Sequence, residues 1–160
     1  MKSLVEQMSV YAAYHRNPVN KTIHRIAVPI IVLDVLGFLH VLPIGAVASW
    51  LPSVSWFVVA AALVFYARLS SALALGMALL VLPSMAGLDA ALAALGALAF
   101  PALVAVFVIT WTAQFIGHAL EGEKPSFFAD AQFLLIGPLW LLADAYRRLG
   151  VAPRALRRMA

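Results

Sequence analysis

The chain has 160 residues, of which 64% are hydrophobic and only 11% are charged, with a formal net charge of +4. Soluble domains carry about a quarter charged residues, so this chain has too few polar side chains to coat so large an apolar core. Together with a mean hydropathy of +0.98, this composition excludes an ordinary soluble domain, a disordered chain and a nucleic-acid-binding module, and it indicates an integral membrane protein.

The first 25 residues contain no long apolar stretch of the kind found in a cleavable signal peptide, so we expect the first apolar segment to be retained. Within residues 3–14, one helical face is apolar and is formed by Leu4, Met8 and Tyr11. This pattern predicts a short amphipathic helix at the membrane surface. Pro18 disfavours a helical Asn17, which predicts a break before a second helix that begins near Val19–Asn20, with Asn20 its predicted cap.

Four apolar segments follow, and each is long enough, or nearly so, to cross a bilayer as a helix. They are residues 26–42, 47–67, 69–87 and 90–117. Pro101 predicts a kink in the fourth segment. Residues 131–146 are apolar again but short for a crossing, and Gly137-Pro138 interrupts them. We predict a re-entrant or interfacial hairpin there, or a helix packed in the bundle.

The positions of lysine and arginine favour four crossings over five. With four crossings every Lys and Arg lies at one membrane face, which the positive-inside rule makes cytoplasmic, whereas a fifth would place the arginine-rich tail outside. The excess of arginine over lysine, with abundant Ala and Leu, is a feature of proteins from GC-rich bacterial genomes. We therefore expect a multi-pass protein of the bacterial inner membrane.

The predicted fold is therefore all-α, a membrane-embedded helical bundle of about four transmembrane helices plus a short re-entrant or interfacial helix and amphipathic termini. Residues 1–160 form a single domain. Its parts are residues 1–25, cytoplasmic or interfacial; residues 26–117, four spans; residues 118–146, a polar loop and re-entrant segment; and residues 147–160, a basic tail.

Four crossings return three of the four histidines to one membrane face. His15 and His24 lie at the start of the first span, and His118 lies at the end of the fourth. Neutral imidazole binds iron, zinc and copper, and neighbouring amides or carboxylates can fix the rings. A single interfacial histidine is more often only a hydrogen-bonding residue, and the spacing does not name the metal. The polar neighbours of these histidines are Asn20, Gln114 and Glu121.

Two further polar residues lie deeper in the first span. His40 is about 24 Å from His24 along a continuous helix, so we expect it near the opposite interface and outside a shared site. Asp34 is about 15 Å from His24 by the same rise, where an acid needs a partner or a wet cavity. Cysteine is absent, which excludes thiolate metal sites, iron–sulfur clusters and cysteine nucleophiles.

Three segments resemble the signatures of the Mpo1-like family. They are YHRNPVNKTIHRIAVP at residues 14–29, QFIGHALEGEKPSFF at residues 114–128 and the less specific LLIGPLWLLAD at residues 134–144. Together they frame nearly the whole chain. The sequence departs from the family pattern at Ala27, Ser126 and Asp144, where glycine, alanine and glutamate are common.

The resemblance implies an iron(II)-dependent dioxygenase that uses O2 to shorten a 2-hydroxy fatty acid by one carbon, with release of CO2. By motif match, His15, His24 and His118 are the implied iron ligands. The resemblance also implies supporting or catalytic roles for Asn20, Gln114 and Glu121, with Glu121 a candidate ligand or base. Membrane lipids are expected partners and nucleic acid is not. The candidates for holding the substrate carboxylate are Arg16, Lys21, Arg25 and Lys124.

Two other classes of function compete with this hypothesis. The first is a non-enzymatic membrane protein that carries a metal or binds lipid, for which chelation would leave any activity unchanged. The second is a haem protein with two histidine ligands, which an absorption spectrum would reveal. A di-iron hydroxylase or desaturase is disfavoured, because four histidines in total cannot supply its histidine-rich clusters.

Overall fold

The computed structural model describes residues 4–42, 53–122 and 132–151, and all regular structure within these ranges is helical. The prediction of an all-α chain is confirmed for this part. The helices are α1 (Leu4–Ala13), α2 (Pro18–Val41), α3 (Val54–Leu69), α4 (Ser71–Leu95), α5 (Ala99–Glu121) and α6 (Phe133–Arg148), with a 3-10 turn at Gly96–Leu98 between α4 and α5.

Helix α2 begins at Pro18 and is capped by Asn17, so the prediction that Asn20 caps it is wrong. The Asn17 side-chain oxygen accepts hydrogen bonds from the backbone N–H groups of Val19 and Asn20, at 2.8 and 3.4 Å. Asn17 is extended (φ −63°, ψ 128°), which is the conformation that a following proline favours and an N-cap requires. Proline is also well suited to the first helical position, because it has no N–H to leave unsatisfied.

Helices α2 to α5 alternate in direction. At one end of the molecule His40 of α2 lies 3.1 Å from Asp89 of α4, and Trp56 of α3 donates a hydrogen bond to the same carboxylate at 3.3 Å. At the other end His24, near the start of α2, lies beside His118, near the end of α5. Helices α2 and α4 therefore run one way, and α3 and α5 run the other way.

Several helix boundaries differ from the predicted ones. Helix α4 continues through Gly87 and Asp89 to Leu95, so the predicted end of the third apolar segment at residue 87 is wrong. The chain breaks instead at Gly96, whose φ of +53° is costly for residues with a Cβ atom. Pro101 lies in the first turn of α5 and not in the interior of a helix. A proline is tolerated there, which removes the reason to expect a kink.

Helix α6 is continuous through Gly137 and Pro138. The sequence left open a re-entrant hairpin, an interfacial hairpin or a helix packed in the bundle. In the structure this segment is a helix packed in the bundle. The apolar face predicted for α1 is buried against α6. The residues that form this contact are Leu4, Met8, Tyr11, Phe133, Ile136 and Trp140. The two amphipathic elements thereby cover each other at the end of the bundle that carries His24 and His118.

Two helical stretches are long and apolar enough to cross a membrane, Pro18–Val41, which is α2, and Ser71–Glu121, which contains α4, the 3-10 turn and α5. Helix α3 is apolar but has only 16 residues. Large apolar side chains such as Ile26, Leu79 and Ile109 are exposed on the outer surface, which favours a lipid environment over water. These features indicate a membrane protein, while the count of four spans stays a prediction. Most of the predicted polar loop and of the basic tail lies outside the described residues.

Gly76 permits the close packing of α4 against α6. A Cβ atom at this position would overlap the Tyr146 hydroxyl and would lie 3.0 Å from Leu142 Cδ2. We expect Gly76→Ala to lower the free energy of unfolding by about 1–3 kcal/mol, the usual cost of overpacking. Thermal unfolding of the purified protein in detergent measures this loss.

Tyr146→Phe should recover part of the stability lost in Gly76→Ala, because it removes the oxygen that the new methyl group would meet. Gly87→Ala is the matched control, since a Cβ atom there would find no atom within 4 Å. Equal melting temperatures for Gly76→Ala and Gly87→Ala would contradict the packing described here.

Candidate metal centre

Three histidines from distant parts of the chain meet in the interior of the protein. His15 lies in the connection between α1 and α2, His24 in the second turn of α2 and His118 in the last turn of α5. Their exposed fractions are 1%, 2% and 5%, and one ring nitrogen from each lies within 4.8 Å of the other two. The fold therefore brings together the three histidines that the predicted topology placed at one membrane face.

Backbone carbonyl groups determine which nitrogens of His15 and His24 carry hydrogen. His15 Nδ1 lies 2.8 Å from the Tyr11 carbonyl oxygen, and His24 Nδ1 lies 3.0 Å from the Asn20 carbonyl oxygen. Because a carbonyl oxygen only accepts, each Nδ1 donates and each Nε2 is left with a lone pair. The two Nε2 atoms are 3.0 Å apart. Two facing lone pairs at this distance repel each other, so the arrangement is complementary to a shared cation.

The separation of the two Nε2 atoms also fits a metal ion. Imidazole nitrogen lies about 2.1 Å from a bound divalent ion, so two such ligands at a right angle are about 3.0 Å apart, and at a tetrahedral angle about 3.4 Å. The observed 3.0 Å is the right-angle value. The two imidazoles are therefore close enough together to bind one divalent ion.

The ring of His15 is held by side chains of α1 and α6. Tyr11 stacks on it with ring centroids 4.2 Å apart and an interplanar angle of 17°, and Trp140 lies 6.1 Å away. Burial lowers the pKa of His15, and this influence outweighs the opposite one of the Tyr11 carbonyl group. His15 is therefore neutral near pH 7, which is the form that binds metals.

Tyr11 belongs to the site, although the sequence pattern predicted it only as part of an apolar helix face. Its ring contacts His15, its carbonyl oxygen accepts from the same residue, and it lines the same cavity as the three histidines. Its hydroxyl oxygen would lie 3.0 Å from a Cβ atom at Gly137. The spacing of four residues between Tyr11 and His15 was the only signal in the sequence that could have indicated the contact.

The Glu121 carboxylate fastens the end of α5 to the start of α2. Oε1 accepts from the backbone N–H of Arg16 at 2.7 Å and of Asn17 at 3.1 Å. Oε2 accepts from the same Asn17 N–H at 2.9 Å and from Asn20 Nδ2 at 2.9 Å. Both oxygens thus face the segment directly after His15. These contacts favour a positioning role for Glu121 over the predicted alternatives of a ligand or a base.

Asn20 and Gln114 lie next to the three histidines in different ways. Asn20 is fully buried, and its backbone carbonyl and side-chain amide bind His24 and Glu121. Gln114 lines the cavity beside the histidines, and its buried Oε1 makes no hydrogen bond within the described ranges. Asn20 therefore positions His24 and Glu121. The Gln114 amide lies on the cavity wall, where it can contact a bound group.

Gly117 leaves the space that Asn20 fills between α2 and α5. A Cβ atom at Gly117 would approach Asn20 Oδ1 to 2.5 Å and Ile23 Cδ1 to 3.4 Å. We expect Gly117→Ala to displace Asn20 and to weaken its hydrogen bond to Glu121. Metal affinity should fall about tenfold, because His24 and His118 would be moved apart. Titration of the metal-free protein with Fe(II) measures this, and unchanged affinity would contradict it.

The cavity at the three histidines has a volume of about 70 Å³. The histidines and Gln114 form its polar part, and most of the remaining wall is apolar, with Val32, Phe133 and Pro138 among its residues. One water occupies about 30 Å³ in the liquid, so this space suits an ion with a small polar group. A haem or a long acyl chain needs several times this volume.

The other polar residues singled out in the sequence lie away from the three histidines. His40 is at the opposite end of the bundle, where it contacts Asp89 and Ser53. Asp34 is buried, lines an otherwise apolar cavity of about 210 Å³, and its oxygens have no hydrogen-bond partner in the part of the chain that the structure describes. Asp144 binds Arg25 and Arg148. Lys124 lies outside the described residues.

Two comparisons with known proteins match nearly the whole chain. The profile of a family described as "2-hydroxy-palmitic acid dioxygenase Mpo1-like" matches residues 1–149. The chain is also similar to 2-hydroxy-palmitic acid dioxygenase MPO1 of Saccharomyces cerevisiae, with 31% identity over 157 residues, 94% of this chain and 84% of the yeast protein. No solved structure matches the chain. The matched range includes all three histidines and the three polar residues around them.

Proposed function

The chain belongs to the Mpo1-like family, and from this membership we propose that it is a non-haem iron(II) dioxygenase of 2-hydroxy fatty acids. The acid and O2 give the fatty acid that is one carbon shorter, CO2 and water, a reaction that balances without external electrons. The observation that carries the proposal is the buried cluster of His15, His24 and His118 on a small cavity. A relative named as a 2-hydroxy-palmitic acid dioxygenase supports the substrate class.

His15, His24 and His118 would hold the iron. The bound ion would supply the activation of O2 and an anchor for the hydroxyl and carboxylate groups of the substrate. Because three neutral imidazoles would not cancel the charge of such an ion, a carboxylate would be held strongly beside it within the apolar wall. The protein's own part is to fix the rings through the carbonyl groups of Tyr11 and Asn20.

Gln114 and the apolar wall of the cavity would act on the substrate directly. The Gln114 amide lies where it can hydrogen-bond the polar head of a small bound group. The apolar residues around it exclude water, which strengthens the electrostatic contacts and limits side reactions. This division assigns orientation to Gln114 and ring positioning to Asn20 and Glu121.

The proposed topology is four spans in the bacterial inner membrane, with the metal site at the cytoplasmic face. The distribution of charge supports it. Within the described ranges, all lysines and arginines lie at the end of the bundle that carries the three histidines, as the positive-inside rule requires of a cytoplasmic end. They are Arg16, Lys21, Arg25, Arg68, Arg147 and Arg148.

Removal and return of the metal tests the proposed activity. The purified protein should contain about one iron per chain, consume O2 when 2-hydroxyhexadecanoate is added, and form pentadecanoate. Chelation should abolish the turnover, and Fe(II) should restore it while Zn(II), which has no redox chemistry, should not. Metal analysis, an oxygen electrode and mass spectrometry give the three readings. Turnover that survives chelation would contradict the proposed iron dependence, and metal binding without turnover would favour the non-enzymatic alternative.

A further inference from the structure

An apolar groove runs between α2, α4 and α6 and does not include the three histidines. Its volume is about 390 Å³, more than five times that of the cavity at the histidines. Its apolar wall is formed by Pro29, Leu33, Leu80, Val81, Leu141 and Leu142. One end of the groove is lined by Arg25 and Arg148, with Asp144 bound to both of them. The groove thus combines a long apolar wall with a cationic end.

A basic basin adjoins this end. It has a volume of about 360 Å³ and shares Arg25, Asp144 and Arg148 with the groove, while Lys21 and Arg147 complete its basic lining. Partial burial acts to raise the pKa of Asp144, but Arg148 and Arg25 outweigh it and hold this pKa below its ordinary value. One ionised carboxylate therefore faces four cations, and the basin keeps a surplus of positive charge near pH 7.

The inner wall of the groove is also a wall of the metal cavity. Val32 and Pro138 line both spaces, so the groove adjoins the cavity beside His24 at these two side chains. An amphiphile in the groove would place its chain next to the metal cavity while its head remained in the basin.

We propose that the basin and the groove together form a binding site for a long-chain carboxylate, separate from the metal cavity. The carboxylate group is held by Arg25 and Arg148, and the acyl chain lies along the apolar wall towards Val32 and Pro138. The choice of a fatty acid as the ligand rests on the proposed function, because such acids are its substrate and product. The site is where this acid stays before or after the reaction.

The chemistry of the two spaces selects this ligand. The apolar wall favours a hydrocarbon chain, at about 25 cal/mol for each Å² removed from water. Arginine binds carboxylate groups through two parallel hydrogen bonds, and the surplus charge of the basin attracts an anion. The cavity at the histidines is too small for the chain, so a long acid needs apolar space elsewhere, and this groove adjoins that cavity.

The contact between the arginines and the carboxylate group is tested with radiolabelled hexadecanoate, which lacks the 2-hydroxyl group. Metal-free protein is used in nanodiscs of phosphatidylcholine. We expect Arg148→Gln to weaken binding at least tenfold and Arg68→Gln, an exposed arginine outside both spaces, to leave it unchanged. Methyl hexadecanoate, which has no charge, should bind at least tenfold more weakly than the acid. Equal binding of the acid and its ester would overturn the proposal.

The chain of the ligand is tested with two neighbouring leucines. Leu80 lines the groove, whereas Leu79 does not line it, and both side chains are exposed on α4, so tryptophan at either position leaves the core intact. Leu80→Trp should fill the groove and weaken hexadecanoate binding at least tenfold, and Leu79→Trp should not. Equal affinities of the two variants would overturn the proposal. Complete displacement of hexadecanoate by 30 mol% phosphatidylglycerol would also overturn it, because it would assign the site to a phospholipid.

These experiments separate the groove from the dioxygenase activity. Binding of hexadecanoate that depends on Leu80 and Arg148, in a protein without turnover, would retain the site and reject the proposed function. Turnover of 2-hydroxyhexadecanoate without such binding would retain the function and reject the site.

Discussion

Replacing His118 by alanine is expected to abolish iron binding and turnover while the helical fold persists. His118 is one of three buried imidazoles whose ligand atoms lie within 4.8 Å of one another. With two ligands left, the affinity for a divalent ion should fall by several orders of magnitude, because each imidazole contributes a bond that water replaces only poorly. The same result is expected for His15→Ala and His24→Ala.

The measurement pairs metal analysis with circular dichroism on the same samples. Iron per chain should fall from about one to below one tenth, and product formation should become undetectable. The helical signal should remain, because the imidazoles face one another and the three substitutions open only a small cavity. His40→Ala is the matched control, since His40 lies at the opposite end of the bundle beside Asp89. Iron retained at wild-type level in His118→Ala would reject the metal centre.

The convergence of the histidines was predictable because it depends on topology alone. Alternating helices return residues about a hundred positions apart to one end, whatever the exact boundaries of the helices. Two wrong helix boundaries therefore did not affect this prediction. Helix α4 continues past residue 87, and α5 begins only two residues before Pro101. Hydrophobic periodicity and charge asymmetry were sufficient for this level of structure.

Contacts made by single atoms could not be predicted in this way. That Asn17 and not Asn20 caps α2 depends on the backbone angles that Pro18 imposes, and both asparagines satisfy the sequence rule for a cap. The groove between α2, α4 and α6 depends on the packing of α6, which the interruption at Gly137 and Pro138 made ambiguous. The stacking of Tyr11 on His15 could not be predicted either, because an apolar pattern does not indicate which partner a ring contacts.

The resemblance of the Glu121 segment to a family motif indicated an important residue, but the contacts determine what it can do. Its two oxygens accept hydrogen bonds from Arg16, Asn17 and Asn20. A carboxylate engaged in this way cannot readily take a proton from the substrate, and it holds the segment that carries His15. The distinction between a base and a positioning residue can be tested with a single substitution.

Glu121→Gln is expected to weaken iron binding at least tenfold and to lower the free energy of unfolding by about 1–2 kcal/mol. The amide keeps the size of the side chain, but its NH2 group faces backbone donors and cannot accept from them. At saturating Fe(II), turnover should stay within a few fold of the wild-type rate, because His15 returns to its place when the metal is bound. Fe(II) titration, thermal unfolding and kcat at saturating metal give the three values.

A catalytic base would give the opposite pattern. Its loss typically costs 100-fold to 10,000-fold in rate, with little change in metal affinity, so a large fall in kcat with normal Fe(II) binding would contradict the positioning role. Asp89→Asn is the control, because this carboxylate also accepts a side-chain hydrogen bond, from Trp56, but lies at the other end of the bundle beside His40. It should lose stability without losing affinity for iron. Affinity and stability should therefore fall together only when the substituted carboxylate is the one that binds the segment after His15.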